Sequence, residues 1–541
     1  MKTIPREAQA SPKGGADIAA FLLLVAGLGV VAWNLADAWA WARYGYLGPD
    51  DFQHAHNGWL SLRGRLVFRD FFDNHGPLFA WLNALLLWVR GTDAATFESI
   101  LRLRTVHWAA LGVQCLLLHA LSRRLSFGRA AAMVTVASHA SFQLLATTGP
   151  TIRPDGWQVA VVLGAALLFL GGRPLRAGML VGVALLLHAK GLLAVGAMLA
   201  GVAAFQTPGP VHGLSRTCGR AALGTGLVAG AVLLFFAVHG GLDALVGDML
   251  RYNFGETGNR LATARAVNRI VRERQVAWMK ADAVILSFAA VGLGWLLARW
   301  WRREAAPSER FIAAATIGTC PILALPLYPQ ASMCLLPYAA LCAGWLVERA
   351  GRGGSHVPAG VGLAIAGLAG SPLLQNSPSR AKAAEQQASL RAELDWMLSR
   401  ATRSERVLYV WPAASAAHVF QENADVRWML PANSQGGPSN SIVDAAHERT
   451  MSRLAREELM GAKTIHWFVA EPRDYAVLPA ELRTALDEGF ERRGNVWRRE
   501  ATTRRDRCNE PSRHPRGRRA GRAPCPAPRP CRPARRRSGA E

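Results

Sequence analysis

Eleven apolar runs divide the first part of this chain, near 18–41, 100–121, 129–147, 156–171, 177–189, 191–206, 221–240, 281–300, 310–328, 331–347 and 357–373. A helix needs roughly 20 apolar residues to cross the hydrocarbon core of a bilayer. Inside that core every backbone N–H and C=O must find its partner within the chain, so such runs become helices. The pattern predicts a polytopic α-helical membrane protein with about 11 transmembrane helices, although 177–206 also reads as one kinked helix. Only 18% of the 541 residues are charged, against roughly 25% in soluble domains. The first run is too long for a signal-peptide core and lacks a small-residue cleavage site, so it reads as a retained helix.

Orientation follows from the loops. "SRRLSFGR" (122–129), "GGRPLR" (171–176), "SRTCGR" (215–220), "RWWRRE" (299–304) and "ERAGRGG" (348–354) are short and basic. Short cytoplasmic loops carry the excess of Lys and Arg, and an inside N-terminus puts all five on the cytoplasmic face. An odd number of spans then leaves the C-terminal part outside. The expected organisation is a cytoplasmic N-terminus (1–17), a membrane domain (18–373), an α/β domain outside (374–500) and a basic tail (501–541). Outside loops are expected at 42–99, 148–155 and 241–280. "PLFAWLNALLLWV" (77–89) is too short to span and reads as an interfacial or re-entrant helix.

The net charge of +24 is not a nucleic-acid signal. Thirteen arginines against three acids lie in the tail after Glu500, and much of the rest sits in the short loops. The tail is Arg/Pro low complexity and is expected to be disordered. Between 380 and 500, "RVLYVWP" and "TIHWFVA" read as short strands, "ELRTALDEGF" as a helix and "NVWRRE" as an edge strand. That alternation predicts a small α/β domain. The eight cysteines show no CxxC and no zinc spacing, so neither a disulfide framework nor a structural metal is expected.

Charge gathers where the first run ends, in "PDDFQHAHNGWLSLRGRLVFRDFFDNHGPLF" (49–79). Helical spacing places Asp50, His54 and Asn57 on one face. The ordinary reading of Asp50 and Asp51 is a helix start after Pro49, with acids favoured by the helix dipole. That reading leaves unexplained the second charged stretch, which returns Arg69, Asp70, Asp73 and His75 to the same surface. The functional reading is a catalytic carboxylate at the water–lipid boundary, able to take a proton from an incoming hydroxyl or amine. "TIRPDGW" adds Arg153 and Asp155 in the second outside loop, where Pro154 and the charges also serve as a helix boundary. An Arg beside a carboxylate suits a phosphate ligand, the acid orienting an acceptor or holding a metal. Lys190, in "LLLHAKGLLA", falls at an outer turn, where it either snorkels or acts on a ligand, and His188 reads as a core histidine. Pro337 is expected to kink the span 331–347. Arg102 and Arg104 could meet lipid phosphates.

The acidic pair after the first span, "RDFFDNHGP" and "RPDG" together resemble the GT-C membrane glycosyltransferases. Within them the resemblance is to the bacterial, family 39-like branch of the protein O-mannosyltransferases and the lipid A aminoarabinose transferase, and it covers roughly residues 18–350. It implies a polyprenyl-phosphate sugar donor, a lipid, glycan or protein acceptor, and an inverting transfer at the outer face of the bacterial cytoplasmic membrane. Asp50 would be the general base, with Asp51 and Asp155 catalytic beside it. His54, Arg69, Asp70, His75, Arg153 and Lys190 would bind substrate. A divalent cation, Mg²⁺ or Mn²⁺, could join Asp50 and Asp155. Relatives often have Glu at position 51, Pro at 76 and His at 74, where this chain has Asp, Gly and Asn. Two other classes compete. A transporter or flippase of lipid-linked saccharides predicts internal repeats and mid-bilayer charges. A zinc hydrolase would use His54, His56, Asp73 and His75, without an HExxH signature.

Overall fold

A computed structural model describes residues 13–71, 73, 75–91, 97–206, 211–247, 249, 265–324, 329–353, 356–369, 377–400, 406–410, 429–430, 465–469, 475, 480–493 and 496–499. The tail 501–541, Asn74, Tyr328 and much of the third outside loop lie outside the described residues.

Each of the eleven apolar runs contains helix in its described part, with breaks such as Ser141–Phe142 and His188–Ala189. The helices are α1 (Lys13–Tyr44), α2 (Pro49–Leu62), α3 (Pro77–Val89), α4 (Phe97–Arg124), α5 (Arg129–Ala140), α6 (Gln143–Thr148), α7 (Pro154–Leu170), α8 (Pro174–Leu187), α9 (Gly191–Phe205) and α10 (Val211–Val238). They continue with α11 (Arg265–Ala281), α12 (Ala283–Trp301), α13 (Pro307–Thr319), α14 (Leu336–Ala350), α15 (Val357–Ala369), α16 (Ser377–Leu398) and α17 (Ala480–Gly489). By length and composition α1, α4, α10 and α12 are apolar enough to cross a membrane. Phe21 and Leu22 on α1, Leu116 on α4 and Leu234 on α10 stand exposed, as lipid-facing side chains do.

Proline sets several boundaries. The run 177–206 is two helices, α8 and α9, separated at His188–Lys190. Pro337 does not kink α14: it lies in the first turn, where its missing N–H has no partner to lose. A 3₁₀ turn, Pro329–Cys334, precedes it. Gly178 and Gly224 bring α8 and α10 backbone to backbone: a Cβ on either would meet a main-chain carbonyl, that of Ala221 or Leu175.

The loops sort to the two ends of α4 and α7. At one end the Arg124 guanidinium donates to the Leu170 carbonyl (Nη2–O 2.6 Å) and the Gly128 N–H to Glu348 Oε2 (2.8 Å). Three of the five basic loops thus meet there. At the other end the α1–α2 turn, Asp73, His75 and Gly76, the start of α7 and the α8–α9 turn converge. Beneath them lies an apolar floor that includes Phe52, Trp59, Phe79, Ile100, Ile152 and Phe236.

The C-terminal part builds a five-stranded sheet in the order β2-β1-β3-β5-β4, from β1 (Arg406–Val410), β2 (Met429–Leu430), β3 (Ile465–Val469), β4 (Phe490–Arg493) and β5 (Val496–Arg499). β1 runs parallel to β2 and β3, and the β4–β5 hairpin is antiparallel. The strand expected at the edge, β5, is internal. Its Trp497 is fully buried and stacks on Tyr475 at 5.0 Å, and pairing on both sides keeps that ring dry. Helix α16 reaches the membrane domain. Gln386 Nε2 donates to the Leu47 carbonyl (3.2 Å) and its Oε1 accepts the Leu47 N–H (3.1 Å). Gln387 Nε2 donates to Gly45 (2.7 Å) and Arg43 (3.2 Å). The carbonyls left over at the end of α1 are satisfied in this way, two residues before α2 begins.

Candidate active site

Arg104 begins the construction. It is wholly buried in α4, and its guanidinium donates to the carbonyls of Trp41 (3.3 Å), Gly45 (3.3 Å) and Tyr46 (3.0 Å). It is therefore a strut for the end of α1, and lipid phosphates do not reach it. Its Nε stands 3.8 Å from Asp51 Oδ1. That oxygen accepts the Ile152 N–H (2.8 Å), while Oδ2 accepts the Gly48 N–H (2.9 Å). Asp51 thus caps α2 and ties the second outside loop to it.

The tether brings Arg153 to Asp50. The two form an ion pair, and Arg153 Nε also reaches Asp155 Oδ2 at 3.2 Å. Pro154 enforces the extended backbone of Arg153 (φ −140°, ψ 150°), and Asp155 falls in the first turn of α7, where the helix dipole favours an acid. Side-chain exposure separates the three acids: 35% for Asp50, 5% for Asp155 and 1% for Asp51. Asp50 alone is open to an incoming group. Lys190, in the α8–α9 turn, is half-buried. Burial would raise the Asp155 carboxyl, but the charges of Lys190 and Arg153 outweigh it and hold the group below the usual carboxylate range. Burial lowers the Lys190 ammonium, with Asp155 opposing the shift.

Behind this ladder lies a second cluster. Asp73 Oδ1 accepts both the backbone N–H (2.9 Å) and Nδ1 of His75 (2.9 Å), and Oδ2 accepts from Asn57 (2.9 Å). Burial pushes Asp73 up, but the hydrogen bond and charge of His75 prevail and set it at about 2. His54 packs edge-on against His75 (4.4 Å) and Phe79 (4.9 Å). Burial, then the neighbouring His75, lowers its imidazole to about 3. The His188 ring meets His75 at 4.7 Å, and its Nδ1 accepts the Lys190 N–H at 3.1 Å. Gly76 packs closely at this turn. Its N–H donates to the Leu187 carbonyl (3.1 Å), and a Cβ there would strike the Leu186 carbonyl.

Other expected residues have local partners of their own. Arg69 and Asp70 bind each other (Nε–Oδ1 2.9 Å). Asp70 accepts the Leu66 N–H (2.7 Å) and Arg69 donates to the His239 carbonyl (2.8 Å), so the pair braces a turn against the end of α10. The His56 ring stacks on Trp59 at 6.2 Å. The Asp50–Asp155 pair does not fit a divalent cation in this arrangement, because the Arg153 guanidinium contacts both carboxylates. Sequence reasoning passed over two buried side chains that lock the site. Gln158 donates to the carbonyls of Ala184 (2.8 Å) and His188 (2.9 Å). His107 joins Asn83 (2.8 Å) to Trp157 (3.1 Å). Their only signal was a polar residue inside an apolar run, which does not name its partner.

No family model matches the sequence, and neither does any curated protein. Solved structures do. ArnT from Cupriavidus metallidurans in the apo state aligns with a TM-score of 0.58 at 12% identity, over 87% of this chain and 97% of that one. The same protein bound to undecaprenyl phosphate aligns at 0.53 and 13%, over 82% and 95%. The archaeal oligosaccharyltransferase AglB from Archaeoglobus fulgidus, in complex with an inhibitory peptide and a dolichol-phosphate, aligns at 0.52 and 11%, over 90% and 75%. The likeness is one of fold, and that fold is GT-C.

Proposed function

We propose that this chain moves a sugar from a polyprenyl-phosphate-linked donor to a lipid, glycan or protein acceptor at the outer face of the bacterial cytoplasmic membrane. The observation that carries the reading is Arg153, held between an open carboxylate, Asp50, and a buried one, Asp155, on a GT-C fold. ArnT and AglB were each solved with a polyprenyl-type phosphate, and such a phosphate lies at the interface because its tail stays in the bilayer.

Asp50 takes the proton of the acceptor hydroxyl or amine. The acceptor atom bonds to the anomeric carbon as the carbon–oxygen bond to phosphate breaks, and the configuration inverts. Polyprenyl phosphate leaves with both bonding electrons. It gains negative charge in the process, so Arg153 and Lys190 bind the departing group more strongly than the donor, which is what lowers a barrier. Arg153 also engages Asp50 directly as an ion-pair partner. A donor phosphate drawing Arg153 away would free the base only when donor is present. Asp51 positions the second loop and Asp155 fixes Arg153; His75 faces the same turn.

The test is transfer from a panel of radiolabelled polyprenyl-phosphate sugars in membranes containing wild type or Asp50→Asn at equal protein level. Loss of a general base lowers the rate about 10²–10⁴-fold. Intact transfer by Asp50→Asn would overturn the assignment. Lipid-linked sugar crossing proteoliposomes without transfer to any acceptor would replace the enzyme by a flippase.

A further inference from the structure

We propose that His54, Asp73 and His75 form a binding site for one divalent transition-metal ion, zinc by ligand chemistry. This lies beyond the transfer reading and does not depend on it. One ligand atom from each of the three residues can be chosen so that all lie within 4.8 Å of one another. A tetrahedral zinc ion with bonds of about 2.0–2.1 Å holds its ligand atoms about 3.3 Å apart, so small side-chain rotations close the site. The pairing of His75 Nδ1 with Asp73 Oδ1 at 2.9 Å is already near that spacing.

His54 is the independent observation. It is fully buried, and among the described residues neither ring nitrogen has a hydrogen-bond partner. A buried imidazole left so keeps the full penalty of its desolvation, and an ion would give one nitrogen a partner. The ring is held between His75 and Phe79, edge to face. The outer shell is also present. Asn57 holds the second oxygen of Asp73 (2.9 Å), as carboxylate ligands are commonly held. The Gly76 N–H anchors the loop to Leu187 (3.1 Å).

Two imidazoles and one carboxylate favour zinc or a similar transition ion over Mg²⁺, which prefers oxygen and water. Three protein ligands leave a fourth position for a water or another oxygen donor. The ion would bind the 73–75 segment to α2 one turn below Asp50. It would also place a fixed positive charge behind the rim, at residues with no part in the proton transfer.

The measurement is metal content by plasma mass spectrometry on full-length, tag-free protein in detergent, loaded with zinc and desalted. Wild type, Asp50→Asn and Asp155→Asn are expected to carry about one zinc per chain, and His54→Asn and Asp73→Asn only background. Zinc added to chelator-stripped wild type should raise its unfolding temperature and leave that of His54→Asn unchanged. Background zinc in loaded wild type overturns the site. So does full stoichiometry in His54→Asn, or zinc lost in Asp50→Asn and Asp155→Asn instead. The wild-type measurements hold even where a variant fails to fold.

Discussion

Asp51→Asn separates a strut from a catalyst. The Asp51 carboxylate and the Arg104 guanidinium are both buried, with 1% and 0% side-chain exposure. Removing one partner of such a pair costs about 3–5 kcal/mol, because the other charge stays buried without compensation. Arg104 keeps its three carbonyl acceptors, which soften the loss. Asparagine can accept only one of the two N–H groups, from Gly48 and Ile152, and the lost bond adds about 1 kcal/mol. A destabilisation of about 3 kcal/mol or more is therefore expected. Asp50→Asn breaks a pair that is one-third exposed on the acid's side and should cost about 0–1 kcal/mol. Unfolding in detergent, followed by tryptophan fluorescence, compares the two. Arg104→Met and the double variant complete a cycle in which the coupling should exceed about 1 kcal/mol. The opposite ranking holds for activity: Asp50→Asn is folded and inactive, and whatever fraction of Asp51→Asn folds retains transfer. An Asp51→Asn protein with wild-type stability and no transfer would refute the reasoning and place Asp51 in the chemistry.

Further outcomes follow from the same geometry. Gly76→Ala drives a methyl into the Leu186 carbonyl and should destabilise by about 1–3 kcal/mol, read as a lower unfolding temperature; an unchanged value would show that the α8 end yields freely. The folded pKa of Asp155 lies below its unfolded 3.8, so its contribution is present above that value and lost as pH falls through the folded pKa. Asp155→Asn should then lower the unfolding temperature by a constant amount from about pH 5 to about pH 8, the gap closing only below about pH 4; a gap that varies across the neutral range would contradict the ion pairing. Replacing Gln386 and Gln387 together by Ala removes four hydrogen bonds to residues 43–47 and should cost about 2 kcal/mol at about 0.5 each. Faster protease cleavage near residue 400 in that variant would report the undocking of α16.

The apolar runs and prolines made the helices legible. Bilayer thickness sets a length and the hydrocarbon core permits no unpaired backbone, so composition alone identifies α1, α4, α10 and α12. Pro49, Pro77 and Pro154 marked helix starts because the ring fixes φ and lacks a donor. Asp50, Arg153 and Asp155 could be chosen as a group because charge collects at a boundary where burial is costly. Their division of labour could not be read in that way. Asp50 and Asp51 are adjacent and chemically identical, yet successive residues on a helix point about 100° apart. One therefore opens to solvent beside Arg153, and the other turns inward to Arg104, fifty-three positions along the chain. Arg69 and Asp70 carry the charges a phosphate site wants, but the nearest partner of each proved to be the other. His54 acquired its meaning from residues 73 and 75, which a loop returns to its side. Charge, apolarity and proline act locally and can be read along the chain. Which groups share a buried space depends on how distant segments pack, and only the tertiary structure decides it.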